Sequence, residues 1–596
     1  MNTAYIRKLE RLYRRVRTPL VKFVFPMMLL IWPLIKFNQG VDVSDSTYSL
    51  GNYLFPEGVQ DMWLISTYLS NALGYVLVRL PFGDTLIGIN IYTGLIVSGT
   101  ALMCYYGLKK DFTPPVVFMG EMLAINFCWI PGGILYNYLS YFVLTLGALL
   151  LYRGITREDD RFLAAAGVVL GLNVFVRIPN LTQMSLILVL WYSVYFVKVH
   201  GRKKGMEDNE SSSVLRRTIY CILGYAIGAG IPLCIISAVK GTDSLFNMVT
   251  GLSGISGTDD SYSVFSMLTD TLHAYFRSVK YAGIMLAVVF CGTLMLAVYR
   301  KSEVLKWFKR LIYIGVLALM LRFLWGRGMF TFRYYEDYTS MFEWGMLVLF
   351  MAWIAGIVVV AGGRYNLLVS ALAAINLVIL FITPLGSNNY TCQNLNNLFI
   401  VMPFTLYVVG GWMYRGTHRF RLEGVLYGCN FPWMSMVLMI AVMVVIQSTG
   451  FHMNFVFRDG MDGTPRDTLY RNVYTTEANA TALTGLEEAV KNSGADEAIY
   501  WGNCPGLSYL FRLKPAISSS WPDLDSYPVD SFREELLKIK ENDMDKLLLI
   551  CRKGAPTAIN GAEKEALLMD FVEVYRLDVA YENEAYIVYS RKKLEK

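Results

Sequence analysis

Charge is scarce in this sequence. Only 17% of its 596 residues are Asp, Glu, Lys or Arg, 55% are hydrophobic, and mean hydropathy is +0.40. A soluble chain of this length needs more charge to cover its surface, so the composition points to a polytopic membrane protein. Histidine is scarcer still, with four residues (His200, His273, His418, His452) far apart in the chain. The nine cysteines form no C-x-x-C pair, which argues against a zinc site. There is no G-x-x-x-x-G-K-[ST] run, which argues against an ATP-driven pump carried on this chain. Repeats and low-complexity tracts are missing, and no nucleic-acid partner is expected. The basic start "MNTAYIRKLERLYRRVRTPL" is not followed by a short apolar region with a small-residue cleavage site, so no cleavable signal peptide is expected.

What is present is apolar runs of spanning length, roughly 20 residues each. Thirteen are read, near 18–36, 85–107, 113–131, 135–152, 162–178, 181–198, 218–238, 281–299, 311–325, 342–362, 366–384, 397–413 and 430–449. Lysine and arginine then set the direction. Alternate loops carry Arg7 to Arg17, Lys109 and Lys110, Arg153 to Arg161, Arg202 to Arg217, Arg300 to Arg310, Arg364, and Arg415 to Arg421. The N-terminus is therefore expected in the cytoplasm, with loops 37–84, 239–280 and 326–341 and the tail outside. Residues 61–80 are apolar enough to span, but a span there would turn every later basic loop outward. They are expected to lie in the outer interface instead, with Trp63 and the tyrosines at headgroup level.

The tail has ordinary soluble composition. "DEAIYWGNC" and "DKLLLICRK" read as strands, "VDSFREELLKIKEN" as an amphipathic helix, and "FVEVYRLDVAYENEAYIVYSRK" as a closing hairpin. The expected fold is a polytopic α-helical membrane protein of about thirteen transmembrane helices, N-terminus in and C-terminus out. Residues 1–450 form the membrane domain, with 37–84 as its first outer loop, and 451–596 form an extracytoplasmic α/β domain. Cys504 and Cys551 are candidates for a disulfide there.

Polar chemistry gathers on the outer side. Asp42 and Asp45 open the first outer loop, followed by Tyr48, Asn52 and Tyr53. "PGGILYNYLSY" brings Tyr136, Asn137 and Tyr138 to the same level, and "GLNVFVRIPN" brings Arg177. "RGMFTFRYYEDYTSM" adds Arg327, Arg333, Glu336 and Asp337, and "PLGSNNYTCQNLNN" adds Ser387, Asn388 and Asn389. An arginine fork suits a phosphate, and a carboxylate beside a bound hydroxyl suits a general base. Lipid phosphates sit at this depth, so the set suggests group transfer from a lipid phosphate. Each residue also has an ordinary reading. Arg177 can snorkel to headgroups, Arg333 with Glu336 and Asp337 can be a structural ion-pair cluster, and Asp259 and Asp260 can decorate a loop. Glu121, ionisable at depth, can serve function or pair with a neighbouring helix.

The architecture, with "VDVSD" at 41–45, Arg177 in "VFVRIPN", "GSNN" at 386–389 and "IYWGNCPGLSYLFRLKPAISSSW" in the tail, resembles the GT-C superfamily of membrane glycosyltransferases. That group includes protein mannosyltransferases and aminoarabinose transferases. The resemblance implies an inverting hexosyltransferase that takes its sugar from a polyprenyl-phosphate donor and passes it to an extracytoplasmic acceptor. Asp42, or else Asp45, would be the general base, and Arg177 and Arg333 would hold the donor phosphate. Tyr138, Glu336, Asp337 and Asn388 would contact substrate. Many members carry adjacent acids in the first loop, whereas these are spaced D-x-x-D. The spacing leaves open which one acts and whether either holds a divalent cation. No other cofactor is expected. The rival readings are a transporter or flippase of lipid-linked sugars, and an oligosaccharide polymerase or ligase.

Overall fold

The computed structural model describes residues 17–35, 37–129, 135–200, 210–258, 264–298, 302–331, 339–386, 389–419, 430–454, 473–555 and 560–591. Among these, eight helices are long and apolar enough to cross a membrane, or nine if Tyr390–Asn396 and Val401–Met413, bent by 80°, count as one. The helices Leu86–Leu108 and Leu135–Arg157 have 23 residues each, about 34 Å at 1.5 Å per residue, against a hydrocarbon core of about 30 Å. All thirteen apolar runs fall on helices, but not all of those helices are long. Pro114–Phe127 and Asp160–Asn173 have 14 residues each and Leu367–Ile382 has 16, about 21 and 24 Å, while Glu303–Trp325 has the length but carries Lys306, Lys309, Arg310 and Arg322; these four account for the difference between the thirteen runs and the nine. The chain is a polytopic helical membrane protein with a small C-terminal sheet.

Residues 61–80 do not form one helix. They break at Thr67 into Asp61–Ser66 and Tyr68–Leu77, the longer about 15 Å, too short to cross. The Asn71 amide caps the break by donating to Leu64 O (2.9 Å) and to Thr67 Oγ1 (3.1 Å).

Small residues set the tightest helix contact. Gly167 and Gly171 of helix Asp160–Asn173 face Gly224 and Gly228 of helix Glu210–Lys240. A Cβ at Gly171 would lie 2.2 Å from Tyr225 O, and one at Gly228 would lie 2.1 Å from Val168 O. Two G-x-x-x-G faces thus bring the backbones together. Their packing holds the segment 174–177, which follows the first of these helices.

The C-terminal domain is an α/β layer built on a five-stranded sheet. Its strands are β1 Glu497–Trp501, β2 Lys514–Pro515, β3 Leu547–Arg552, β4 Asp578–Glu582 and β5 Tyr586–Ser590, in the order β2-β1-β3-β5-β4. β1 runs parallel to β2 and β3, and β5 is antiparallel to β3 and β4. Alternate residues face opposite sides. Ile499, Leu547 and Leu549 pack under the helices Val529–Lys538 and Gly561–Val574, against Phe532, Leu536, Leu568 and Phe571. Tyr500, Leu548, Ile550 and Val588 face Leu483 and Leu486 of helix Glu477–Ser493. The expected hairpin is shorter than its sequence pattern. "FVEV" ends the Gly561–Val574 helix, because Leu568 and Phe571 both turn onto the sheet.

The second face also holds Val41, Val43, Leu50 and Tyr53, so the sheet and the first long loop share one core. Gly40 N donates to Tyr474 O and Tyr474 N to Asn38 O, each at 2.7 Å. Gly506 N donates to Val43 O at 2.8 Å, and Gln60 N to Ser518 O at 3.1 Å. Arg512 pairs with Asp84 at 3.0 Å, and the Tyr509 hydroxyl donates to Gly83 O at 3.0 Å.

Candidate functional site

Asp42 sits half-buried on the face that carries the C-terminal domain. Its Oδ1 accepts hydrogen bonds from Ser44 N (3.0 Å) and Ser44 Oγ (2.6 Å), and its carbonyl accepts one from Thr47 Oγ1 (2.5 Å). These bonds aim the carboxylate and lead into the first-loop helix, Asp45–Leu54. Asp45 is the first residue of that helix, and its side chain lies outside the described residues.

The first-loop helix is fixed from two sides. On one side Leu50 and Tyr53 enter the core shared with the sheet. On the other, the Tyr53 ring lies on Gly74 of helix Tyr68–Leu77, where a Cβ would come within 2.4 Å. That second helix is tied to the segment before Arg177, with Leu69 N donating to Phe175 O (2.8 Å) and Ser70 Oγ to Val176 O (3.1 Å). Asp42 and Arg177 are thereby held to the same face by a short chain of contacts.

Tyrosines fill the space between them. Tyr48 packs edge-on to Trp63 (6.0 Å between ring centres) and tilts against Trp521 of the C-terminal domain (5.4 Å). Burial pushes the phenols of Tyr48 and Tyr53 well up from the usual tyrosine range. The polar side chains of Asn52 beside Tyr48 and Ser49 beside Tyr53 act against the shift, and both rings are within electrostatic reach of Tyr136. Tyr136 in turn lies 5.6 Å from the Arg177 guanidinium.

Arg177 is half-buried. Its Nη1 donates to Asn137 Oδ1 (3.2 Å) and its Nη2 to Gly386 O (2.6 Å). Gly386 has φ +87°, and a Cβ there would meet Pro179 at 2.1 Å, so this turn accepts only glycine. Among the described residues no carboxylate lies within ion-pair distance of Arg177; both its partners are neutral oxygens. A half-buried guanidinium without a counter-charge is costly, and an anion would relieve it.

The other expected residues divide clearly. Tyr138 is only 2% exposed and packs on Tyr141, inside the bundle beneath the site. Two helix positions span about 200°, so Tyr136 and Tyr138 cannot share a face, and it is Tyr136 that meets Arg177. Arg333, Glu336, Asp337, Ser387, Asn388, Asp259 and Asp260 lie outside the described residues. Glu121 is fully buried beside the Cys104 thiol. Cys504 and Cys551 are free thiols. Among the described residues no group of three or more His, Cys, Asp or Glu could hold a metal ion.

One residue escaped the sequence reading. Glu343, 4% exposed at the start of helix Thr339–Gly362, neighbours Ser278 and lies within charge reach of Arg277 and Lys280. An acid at the end of an otherwise apolar run was the available signal.

No protein-family model matches the sequence, and no curated protein matches it. Among solved structures, ArnT from Cupriavidus metallidurans bound to undecaprenyl phosphate aligns over 95% of this chain and 97% of its own, at 11% identity and a TM-score of 0.41.

Proposed function

We propose that the protein is a membrane glycosyltransferase that moves a sugar from a polyprenyl-phosphate donor to an acceptor outside the cytoplasm. The observation that carries this reading is the half-buried Arg177, whose described partners are all neutral, on the same face as the oriented Asp42. In this reading the thirteen helical runs cross the membrane with their basic loops in the cytoplasm, and the first loop and the C-terminal domain face outward.

The donor enters from the outer leaflet and its phosphate binds the Arg177 guanidinium, whose partners among the described residues are neutral oxygens. Asp42 accepts the proton of the acceptor nucleophile. The nucleophile attacks the anomeric carbon, the bond from that carbon to the phosphate oxygen breaks, and its electron pair leaves with polyprenyl phosphate. Configuration inverts. Arginine contributes most if its hydrogen bonds shorten as charge grows on the leaving oxygen. The Asn137 and Gly386 oxygens hold the guanidinium ready, so it need not reorganise during the step.

The test is label transfer in membranes supplied with labelled polyprenyl-phosphate hexoses. Wild type should release label to an acceptor. Arg177→Ala should lower transfer about 30-fold or more, corresponding to loss of at least about 2 kcal/mol of charge-assisted hydrogen bonding. Label that crosses the bilayer still attached to its lipid would instead identify a flippase.

A further inference from the structure

The C-terminal domain has a crevice of its own, about 380 Å³ in volume, away from Asp42 and Arg177. It opens at the carboxyl ends of β1 and β3. After β1 the chain leaves toward β2 on one side, and after β3 it leaves toward β5 and β4 on the other. Neighbouring parallel strands whose connections diverge in this way leave a gap at their carboxyl ends, where open α/β sheets bind ligands. Two glycines shape the rim. Gly502 (φ +88°) and Gly554 (φ +66°) turn the chain sharply away after each strand. The volume falls at the small end of the range for ligand pockets, about 300–1,000 Å³.

The lining is mixed in a particular way. The Asp523 carboxylate enters from the loop before helix Val529–Lys538. Its Oδ2 accepts from Asn503 N (2.7 Å), while its buried Oδ1 has no hydrogen-bond partner among the described residues. Lys564 holds that loop from behind by donating to Pro522 O (3.0 Å) and Leu524 O (2.8 Å). Glu565 and Met569, one turn apart on helix Gly561–Val574, form one wall. Trp501 and Tyr589 present apolar ring surface from the sheet. Of the two cations at the rim, Lys553 is already paired with Glu582 (2.6 Å) and Asn583 O (2.7 Å). Arg552 donates from Nη1 to Asn503 O (3.5 Å) and shares the lining with two carboxylates, Asp523 and Glu565, a balance that disfavours an anionic ligand.

We propose that this crevice is a saccharide-binding site taking one or two neutral sugar units. A neutral sugar matches each part of the lining. Its hydroxyls donate to Asp523 and Glu565 and accept from Arg552, and its C–H face lies on Trp501, Tyr589 or Met569. The site needs no transfer reaction and stands independently of the proposed activity. It does adjoin that activity, because the loop that begins at Gly502 on the rim reaches Gly506, which hydrogen-bonds Val43 beside Asp42. A sugar chain held here would sit at the far end of that loop, across the sheet from the face that packs on the Asp42 loop.

The test uses the full chain in nanodiscs and saturation-transfer NMR with four probes: methyl α-glucoside, methyl α-mannoside, methyl β-galactoside and N-acetylglucosamine. At least one should bind. Glu565→Gln alters an exposed helix position and should leave the fold intact; it should weaken binding about tenfold, and Met569→Trp, which fills the crevice, should abolish it. Arg177→Ala should bind the same probe as wild type does, which separates this site from the donor site. Silence from all four probes would overturn the proposal. So would binding that neither crevice variant changes, or a probe displaced by millimolar inorganic phosphate.

Discussion

Replacing Gly506 with alanine should disable the site without touching a reacting group. Gly506 is where the C-terminal domain meets the Asp42 loop, and a Cβ there would lie 1.7 Å from Thr47 Oγ1, 2.6 Å from Thr47 Cβ and 2.9 Å from Val43 O. Ordinary contact begins near 3.4 Å, so the interface must open or Thr47 must turn away. Overpacking of this kind costs about 1–3 kcal/mol. If Thr47 turns, the Asp42 carbonyl also loses its 2.5 Å hydrogen bond, worth about 0.5–1.5 kcal/mol. A shift of about 1 Å in a catalytic group can cost about 100-fold in rate. Transfer by Gly506→Ala should therefore fall about 10- to 100-fold while Tm drops by only a few degrees. Adding Thr47→Gly removes the atoms in the way and should recover part of the rate. It also forfeits the Thr47 bond to the Asp42 carbonyl and carries a helix cost of roughly a few tenths of a kcal/mol, so recovery stays short of wild type. The assay is kcat for label transfer at matched protein, read beside Tm. Wild-type kcat and Tm in Gly506→Ala would refute the proposed coupling between the domain and the Asp42 loop.

Three further outcomes follow from the same geometry. Arg177→Lys should bind polyprenyl phosphate about tenfold or more weakly, because an ammonium cannot reproduce a fork held at Asn137 and Gly386; equal binding would show that charge alone suffices. Leu50→Ala empties a fully buried position in the core shared by the first loop and the sheet. It should cost about 2–5 kcal/mol and expose the C-terminal domain to protease, and an unchanged Tm would contradict that shared core. Burial lowers the Lys564 ammonium to about 8 from the ordinary 10.5, against the pull of Asp523 and Asp525. Between those values the unfolded chain binds more protons, so this lysine makes stability rise with pH across the window. The buried thiols of Cys504 and Cys551, raised by burial, act with the opposite sign, so the lysine is isolated by comparison with Lys564→Met. The Tm difference, wild type minus variant, should grow from about pH 7.5 to about pH 9.5, and a flat difference would contradict the assignment.

Much of the architecture was legible in the sequence because apolar runs and strand alternation are local signals. Every one of the thirteen runs lies on a helix, and β1 and β3 stand within the two stretches read as strands. The failures share a cause. The alternation in "FVEVYRL" resembles a strand, yet Leu568 and Phe571 extend a helical stripe onto the sheet, and tertiary burial decides between the two periods. Thr67 breaks an apolar run that sequence alone reads as continuous. Asp42 and Arg177, the residues proposed for the site, stand out in the sequence because each is polar at the end of an apolar run. Tyr136 and Tyr138 stand at the same level in the sequence, and telling which of them meets Arg177 needs the direction of the helix face as well as its depth. The contact of Gly506 with Thr47 joins residues more than four hundred positions apart, and no local pattern announces it.

Donor cleavage by Asp42→Asn tests the account most directly. Wild type and variant, reconstituted at equal amounts, would be given a labelled polyprenyl-phosphate hexose that wild type transfers, with donor binding and release of polyprenyl phosphate followed together. The account predicts that Asp42→Asn binds the donor as wild type does, because Arg177 is untouched, and releases at least about 1,000-fold less polyprenyl phosphate per minute. Near-normal release by Asp42→Asn would contradict it, and would show that the carboxylate beside Ser44 is not the base.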